Sequence, residues 1–332
     1  MNTINTRRLC AALAGLSLVA AACGSDSDSD ESTSTDPPTT EPVSTEPVST
    51  EPVDSEPAVT EPAAPEPASP ERVVSLSPTH TEIMFAIGAG DLLVAVDDFS
   101  NYPAEALELP NELSGFEPNV EAIASFEPDL VLIGGDFTGL GDQLAELDIE
   151  SWDGPAASTI SDTYSQIEQL GAATGNVAEA AELVSSMQTR IDEIVAESGD
   201  SGAGLSFYHE LDPTYFSADS STFIGEVYGA LGLENIADGD DTESFGFPQL
   251  NAEFIVAANP DLVFLADTKC CAETADTVAV RPGWDAIAAV QNGNVIEMDD
   301  DIASRWGPRI VDYLEDVAGA VADVEVGVIA ES

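Results

Sequence analysis

Residues 119–133 read NVEAIASFEPDLVLI, and residues 251–265 read NAEFIVAANPDLVFL. Seven of the fifteen positions are identical. With average residue usage near 5–7%, roughly one identity is expected by chance. The likeness extends upstream: Gly115-Phe116 precedes Glu121, and Gly246-Phe247 precedes Glu253, at nearly the same spacing. In each copy Asn followed by a helix-forming run predicts a short helix, and DLV followed by apolar residues predicts a buried strand. A chain that carries one such unit twice is expected to build two similar lobes. A crevice between two lobes is a preferred place for a small-molecule site.

The same alternation continues outward from the repeats. RVVSLSP (72–78) reads as a strand, HTEIMFAIGAGD as a helix stopped at Gly88 and Gly90, and LLVAVDD (92–98) as the next strand. A helix near 161–173 closes the first half. GLSFYHE (204–210), FIGEVYGALG and RPGWDAIAAVQNGNVIEMD supply strand, helix and helix–turn–strand in the second. Strands alternating with helices indicate mostly parallel sheets with helices on their faces, so the fold class is α/β with two Rossmann-like lobes. Between the copies lies NVAEAAELVSSMQTRIDEIVAES, with no Gly or Pro inside. Its Val177, Ala181, Leu183, Val184, Met187, Ile191, Ile194 and Val195 fit a helical stripe, and it is expected to join the lobes as one long helix of roughly 35 Å. The divisions expected are 72–174, 175–200 and 201–332.

The first 71 residues carry other information. Arg7 and Arg8 precede an apolar run from Leu9 to Ala22, a length typical of a signal-peptide core and short for a membrane span. It ends in Ala20-Ala21-Ala22 followed by Cys23. This pattern is similar to the bacterial lipoprotein signal, with Ala20 where Leu is more usual. That implies lipidation at Cys23 and anchoring to the outer face of the cell membrane; an ordinary secretory signal is the alternative. Residues 23–71 are acidic and rich in Pro, Ser and Thr, with TEPV units repeated. They bury too little to fold and are expected to form an extended spacer reaching on the order of 100 Å.

Charge narrows the partners. The chain has 63 acidic and 8 basic residues, a net charge of −55. Nucleic acid and anionic headgroups are poor partners for such a surface, and contact with the membrane is expected through the lipid alone. A solvated acidic surface of this kind suits salty surroundings. After the expected signal only six cations remain: Arg72, Arg190, Lys269, Arg281, Arg305 and Arg309. Cys270 and Cys271 are adjacent, which leaves three possibilities: a bridge to each other, two free thiols, or a metal site. With only His80 and His209 as imidazoles, a metal site would need a coincidence, and no metal or cofactor is expected. No Ser/His/Asp arrangement, phosphate-binding loop or metal cluster is recognisable, so an enzyme is not expected. A sensor or adhesion module on the same scaffold is a further alternative.

RVVSLSPTHTEIMFAIGAGD, DDFSNYP, the two N-x-E-x-I…PDLV units, FYHELDPTYF and DDDIASRWGPRI together resemble the periplasmic-type binding proteins of ABC importers for cobalamin and iron chelates. The resemblance covers about 72–325. It implies two lobes joined by a single long helix, a metal-chelate ligand in the cleft, and an ABC permease dimer as partner. Cobalamin-binding members are closest in pattern. FPQ (247–249) matches a Trp-Pro-Gln stretch there, which implies that Phe247 lines the cleft, and Phe116 stands where a second tryptophan is found. DFSNYP implies Phe99 or Tyr102 at the opposite wall. Asp301 and Arg305 match a ligand-touching pair, although a structural salt bridge among Asp301, Arg305 and Arg309 on one helical face explains them almost as well. As core residues Phe116 and Phe247 would also be unremarkable. Glu121 and Glu253 match a pair, one per lobe, that docks to arginine pockets of the permease; as acids in the first turn of Asn-capped helices they also have a purely local explanation. A cobalamin-type corrinoid is the ligand expected, with a ferric siderophore and then haem as alternatives.

Overall fold

The computed structural model describes residues 69–239 and 244–331. Cys23, the signal segment and nearly all of the expected spacer lie outside them. The first lobe runs β1 (Val73–Ser75), α1 (Pro78–Ala86), β2 (Leu93–Val96), α2 (Val120–Ala124), β3 (Leu130–Ile133), α3 (Leu140–Ala145), β4 (Glu150–Asp153) and α4 (Ile160–Thr174). Then comes α5 (Val177–Ser198). The second lobe runs β5 (Ser206–Glu210), α6 (Phe223–Gly229), β6 (Glu234–Asn235), α7 (Ala252–Ala258), β7 (Leu262–Leu265), α8 (Thr268–Cys271), α9 (Ala275–Ala279), α10 (Ala288–Asn292), β8 (Val295–Glu297), α11 (Asp300–Ser304) and α12 (Ile310–Glu331). The two sheets are parallel and have the same topology, β2-β1-β3-β4 and β6-β5-β7-β8.

The repeat accounts for this symmetry. Asn119 and Asn251 cap α2 and α7, each side chain accepting from the backbone N–H three residues on at 2.9 Å. The DLV runs become β3 and β7, whose residues are all buried. Both are interior strands of parallel sheets, where both faces are covered and the sequence is continuously apolar. Alternate residues feed opposite cores: Leu130 and Leu132 pack with α1, α4 and α5, while Val131 and Ile133 pack with α2 and α3. In the second lobe Leu262 and Phe264 face the α6 and α12 side, and Val263 and Leu265 face Trp284 and Ile287.

Helix α5 packs against α4 of the first lobe and α12 of the second. Its buried side is Ala180, Val184, Met187 and Ile194, with Leu183, Ile191 and Val195 half-buried. The expected stripe is therefore corrected at its start: Val177 and Ala181 are exposed, and Ala180 takes the inward position. Ala180 sits close over Gly171 of α4, where a methyl group would meet it at 2.4 Å, so the close approach of two small residues sets the phase. A second correction concerns the acid–base cluster near the C-terminus. Asp301, Arg305 and Arg309 do not share one helix, because α11 ends at Ser304 and Arg305 is extended (φ −108°, ψ 125°). Gly307-Pro308 explains the break: Pro disfavours helical geometry in the residue before it and has no N–H to give.

The second lobe also buries charge. Glu210, fully enclosed at the end of β5, takes a bidentate pair from Arg281, both bonds at 2.6 Å. Glu273 adds a third contact to Arg281 at 3.0 Å, and the guanidinium lies over Trp284 at 4.7 Å. Asp267 is buried beside this pair; burial first, and then the charge of Glu210, push its pKa from 3.8 up to about 7. Such a group gains a proton on folding between those two values, so it favours the folded state fully below pH 3.8 and this contribution is lost as pH approaches 7. The variant Asp267→Asn should therefore become more stable relative to the parent as pH rises from 4 to 7, with a level difference above. Urea unfolding of both chains across that range checks this; a difference independent of pH would contradict it.

Candidate functional site

The order β2-β1-β3-β4 places a topological switch point between β1 and β3, where the chain leaves in opposite directions. The segments leaving those two strands open a crevice at their carboxyl ends. Leu76 to Thr79 after β1 and Gly134-Gly135 after β3 line a cleft of about 670 Å³. Across it stand residues of the second lobe: Lys269 and Cys270 on α8, Asp300 and Asp301 on α11, and Ser304 to Trp306. The cleft is thus a product of both lobes, and its size falls within the ordinary range for ligand sites.

Its first-lobe wall is aromatic. Phe99, Phe116 and Phe137 all border it, and all are at least half exposed. Phe99 and Phe116 meet edge to face with centroids 5.7 Å apart, a favourable aromatic geometry. The loop before Phe116 is pinned by Gly115, where any Cβ would come within 2.4 Å of the Leu76 carbonyl oxygen. The loop of Phe99 is held by a chain of hydroxyls: Thr81 bonds Ser75 at 2.9 Å and Ser100 at 2.8 Å, and Ser100 donates to Asp97. Asp97 also borders the cleft, and its burial, partly offset by the Ser100 hydrogen bond, raises its pKa from 3.8 to about 6.

Arg305 is buried at the base of the cleft with four of its five N–H donors engaged. One terminal nitrogen reaches Glu82 at 2.8 Å and Asn101 at 2.9 Å; the other reaches the Phe99 carbonyl at 3.0 Å and Asp301 at 2.6 Å. Arg309 grips the same Glu82 through two nitrogens at 2.8 and 2.5 Å. Glu82 belongs to α1 of the first lobe, and it is itself buried. One carboxylate thus ties two arginines of the second lobe across the junction. Lys269 bonds Asp299 at 2.5 Å and Asp301 at 2.8 Å. Partial burial alone would raise the Asp301 pKa, but the Lys269 hydrogen bond and Arg305 charge outweigh it and the net shift is downward. Trp306, another lining residue, donates its indole N–H to Gln166 at 3.0 Å.

Of the residues expected at the cleft, Phe99, Phe116, Asp301 and Arg305 come together around it. Tyr102 and Phe247 are not among its lining residues; of the pair Phe99 or Tyr102, Phe99 is the one that borders it. Tyr102 instead lies against Arg309, with the guanidinium 4.2 Å from its ring centroid. The loop of Phe247 is stitched to residues 217–219 by Ser217 N–H to the Pro248 carbonyl and Asp219 N–H to the Gly246 carbonyl, which keeps it with its own lobe. Glu121 and Glu253 are exposed in the first turns of α2 and α7, one per lobe. Cys270 and Cys271 are placed as a disulfide between neighbours, the first of the three possibilities open in the sequence. His80 and His209 are both buried, and burial lowers their pKa values to about 4 and about 3. His80 bonds Gln166 at 3.3 Å and His209 bonds Tyr228 at 2.8 Å; among the described residues no His or Tyr lines the cleft. Glu82, Asn101 and Phe137 had been missed. The spacing of Glu82 within an apolar helix run was the one available signal, since a lone acid there needs a partner.

The family model described as periplasmic binding protein matches residues 73–302. An ABC transporter substrate-binding lipoprotein of Bacillus subtilis, YvrC, itself uncharacterised, is 30% identical over 258 residues, covering 75% of this chain and 79% of that protein. A cobalamin-binding protein of Halobacterium salinarum is 31% identical over 261 residues, covering 75% and 69%. Among solved structures, the periplasmic heme-binding protein RhuT from Roseiflexus sp. RS-1 shares the fold with a TM-score of 0.68 at 24% identity, covering 77% and 99%.

The variant Glu82→Ala should lose about 3–5 kcal/mol of stability, because it leaves two enclosed guanidinium groups without their carboxylate. Chemical unfolding measures this. An effect below about 1 kcal/mol, the size of an exposed pair, would mean that the junction is wetter than described.

Proposed function

The chain belongs to the periplasmic binding protein family, and from that premise we propose that it captures a cobalamin-type corrinoid outside the cell and hands it to the permease dimer of an ABC importer. The observation that carries the ligand class is the state of the cleft's cations. Lys269 and Arg305 are the two that border it, and both are engaged by Asp299, Asp301 and Glu82. The rest of the wall is largely apolar, with Phe99, Phe116 and Phe137 foremost, and its polar groups, Asp97, Asn101 and Asp300 among them, add no cation. A large ligand with a flat face and little net negative charge suits that surface; an anionic ferric siderophore would need cations that the protein has already used. Haem would lack an imidazole or phenol at the cleft wall. The cobalamin-binding relative supports the same reading.

Aromatic rings offer broad apolar contact at small entropic cost, so Phe99 and Phe116 are assigned to the corrin face. Phe137 extends the same wall. Asp301 and Arg305 act by holding the wall, with Arg305 fixing the Phe99 backbone. Glu121 and Glu253 are the docking pair: exposed carboxylates, alike in helix position and one on each lobe, can take charge-assisted bonds from two equivalent cationic sites. Lipidation at Cys23 and an extended acidic spacer would tether the receptor to the membrane within reach of the permease, and the lipoprotein named among the relatives agrees with this.

Calorimetric titration with cyanocobalamin tests the ligand. Binding at micromolar or tighter is expected, and Phe116→Ala should weaken it roughly tenfold, about 1.4 kcal/mol. No heat and no thermal shift would move the ligand to ferric siderophores and then haem. The double variant Glu121→Lys/Glu253→Lys should bind cyanocobalamin like the parent yet lose uptake in cells; uptake that survives would remove the docking assignment.

A further inference from the structure

The bridge between Cys270 and Cys271 has no part in the corrinoid reading so far, yet Cys270 borders the cleft and both cysteines are exposed. We propose that this bridge is a thiol-exchange site in the cleft wall, opened by an external dithiol, and that opening it loosens the wall on which the ligand rests.

Three observations carry this. The first is access: an exposed disulfide is open to attack by a thiolate, and exposed bridges are the labile ones. A bridge between neighbours also closes a small ring that includes the peptide bond joining them, and so restricts the backbone there. The second is the local structure. Helix α8 is four residues long and ends at Ala272 with φ +59°, a left-handed conformation unfavourable for a residue with a Cβ. A helix this short is unstable by itself, so its turn depends on restraints from outside the helix, the ring among them. The third is the wiring. The backbone N–H groups of Thr268, Lys269 and Cys270 all donate to the Asp300 carboxylate, at 2.8–2.9 Å. Lys269 holds Asp299 and Asp301, and Asp301 holds Arg305, which fixes the Phe99 carbonyl. A continuous set of bonds therefore runs from the bridge to the aromatic wall.

The reaction balances with a dithiol. One reductant thiolate attacks a sulfur of the bridge; the S–S bond breaks, and its electron pair leaves on the other cysteine sulfur, which takes a proton. The second reductant thiol then attacks the mixed disulfide, forming the reductant's own disulfide and freeing the second cysteine thiol. Asp299, Asp300 and Asp301 surround the site, so a neutral small dithiol should react faster than anionic glutathione.

The effect on ligand affinity rests on the corrinoid reading; the exchange itself does not. The full chain would be treated in native buffer with dithiothreitol, alkylated with iodoacetamide, mapped by peptide, and followed in parallel by hydrogen exchange. The expected result is paired alkylation of Cys270 and Cys271 while amides of β1, β3, β5 and β7 stay protected. Exchange should rise at 268–272 and 299–305. The variant Cys270→Ser/Cys271→Ser should match the reduced parent without dithiol and not respond to it. Cyanocobalamin affinity should fall at least threefold on reducing the parent and stay constant in the variant. A bridge that opens only when the sheets unfold would overturn the proposal, as would opening with no change at 299–305 or with unchanged affinity in a chain that binds cyanocobalamin. A chain that binds no cyanocobalamin in either state counts against the corrinoid reading, and hydrogen exchange alone then decides the proposal.

Discussion

The buried carboxylate of Glu82 is the constraint on which the site depends. It accepts from Arg305 and Arg309 in a junction where all three side chains are nearly closed to solvent. Taking three charges out of water is expensive, and attraction inside the protein offsets that only with good geometry and further hydrogen bonds. Asn101, Asp301 and the Phe99 carbonyl supply those bonds to Arg305. The arrangement therefore favours one relative placement of the lobes over others, since a shift would leave charges unpaired. The aromatic wall inherits its position from the same arginine.

Most of the architecture was legible in the sequence because it is a repeated hydrophobic pattern. β3 and β7 are buried on both faces, and continuous apolar runs after Pro-Asp mark them without ambiguity. Their Asn-capped helices follow from local chemistry as well. What could not be read has equally physical reasons. β4 is an edge strand with the sequence ESWD, half exposed and without alternation, and β6 is two residues long. Neither carries enough apolar surface to leave a periodic signal. Helix α8 is four residues, shorter than any propensity window.

The site was only half legible for a different reason. Phe99, Phe116, Asp301 and Arg305 were expected at the cleft through the family resemblance, but their partners are distant in sequence. Glu82 meets Arg305 across 223 residues, and Trp306 meets Gln166 across 140. Nothing in either local stretch announces the other. Phe247 shows the opposite failure: its place in the repeat matches Phe116, yet the bonds of its loop to residues 217–219 differ from those that hold Phe116 by the cleft. Internal repetition fixes strands and caps, whereas loops diverge between the copies.

The shortage of cations links these features. The body keeps six basic side chains, and each has a partner in the structure: Arg72 bonds the carbonyls of Phe126 and Glu127, Arg190 bonds Glu193 and Glu315, Arg281 bonds Glu210 and Glu273, and the other three form the cleft network. A surface this acidic has repulsion to spare, and a cation placed in the solvated face would relieve some of it only weakly because water and salt screen it. Placed where carboxylates are enclosed, the same charge prevents a far larger penalty. Four of the six sit at such enclosed or cleft-bordering positions: Lys269, Arg281, Arg305 and Arg309. The distribution follows from that difference in dielectric surroundings, and it leaves both cations of the cleft, Lys269 and Arg305, paired with carboxylates beside a first-lobe wall of aromatic rings.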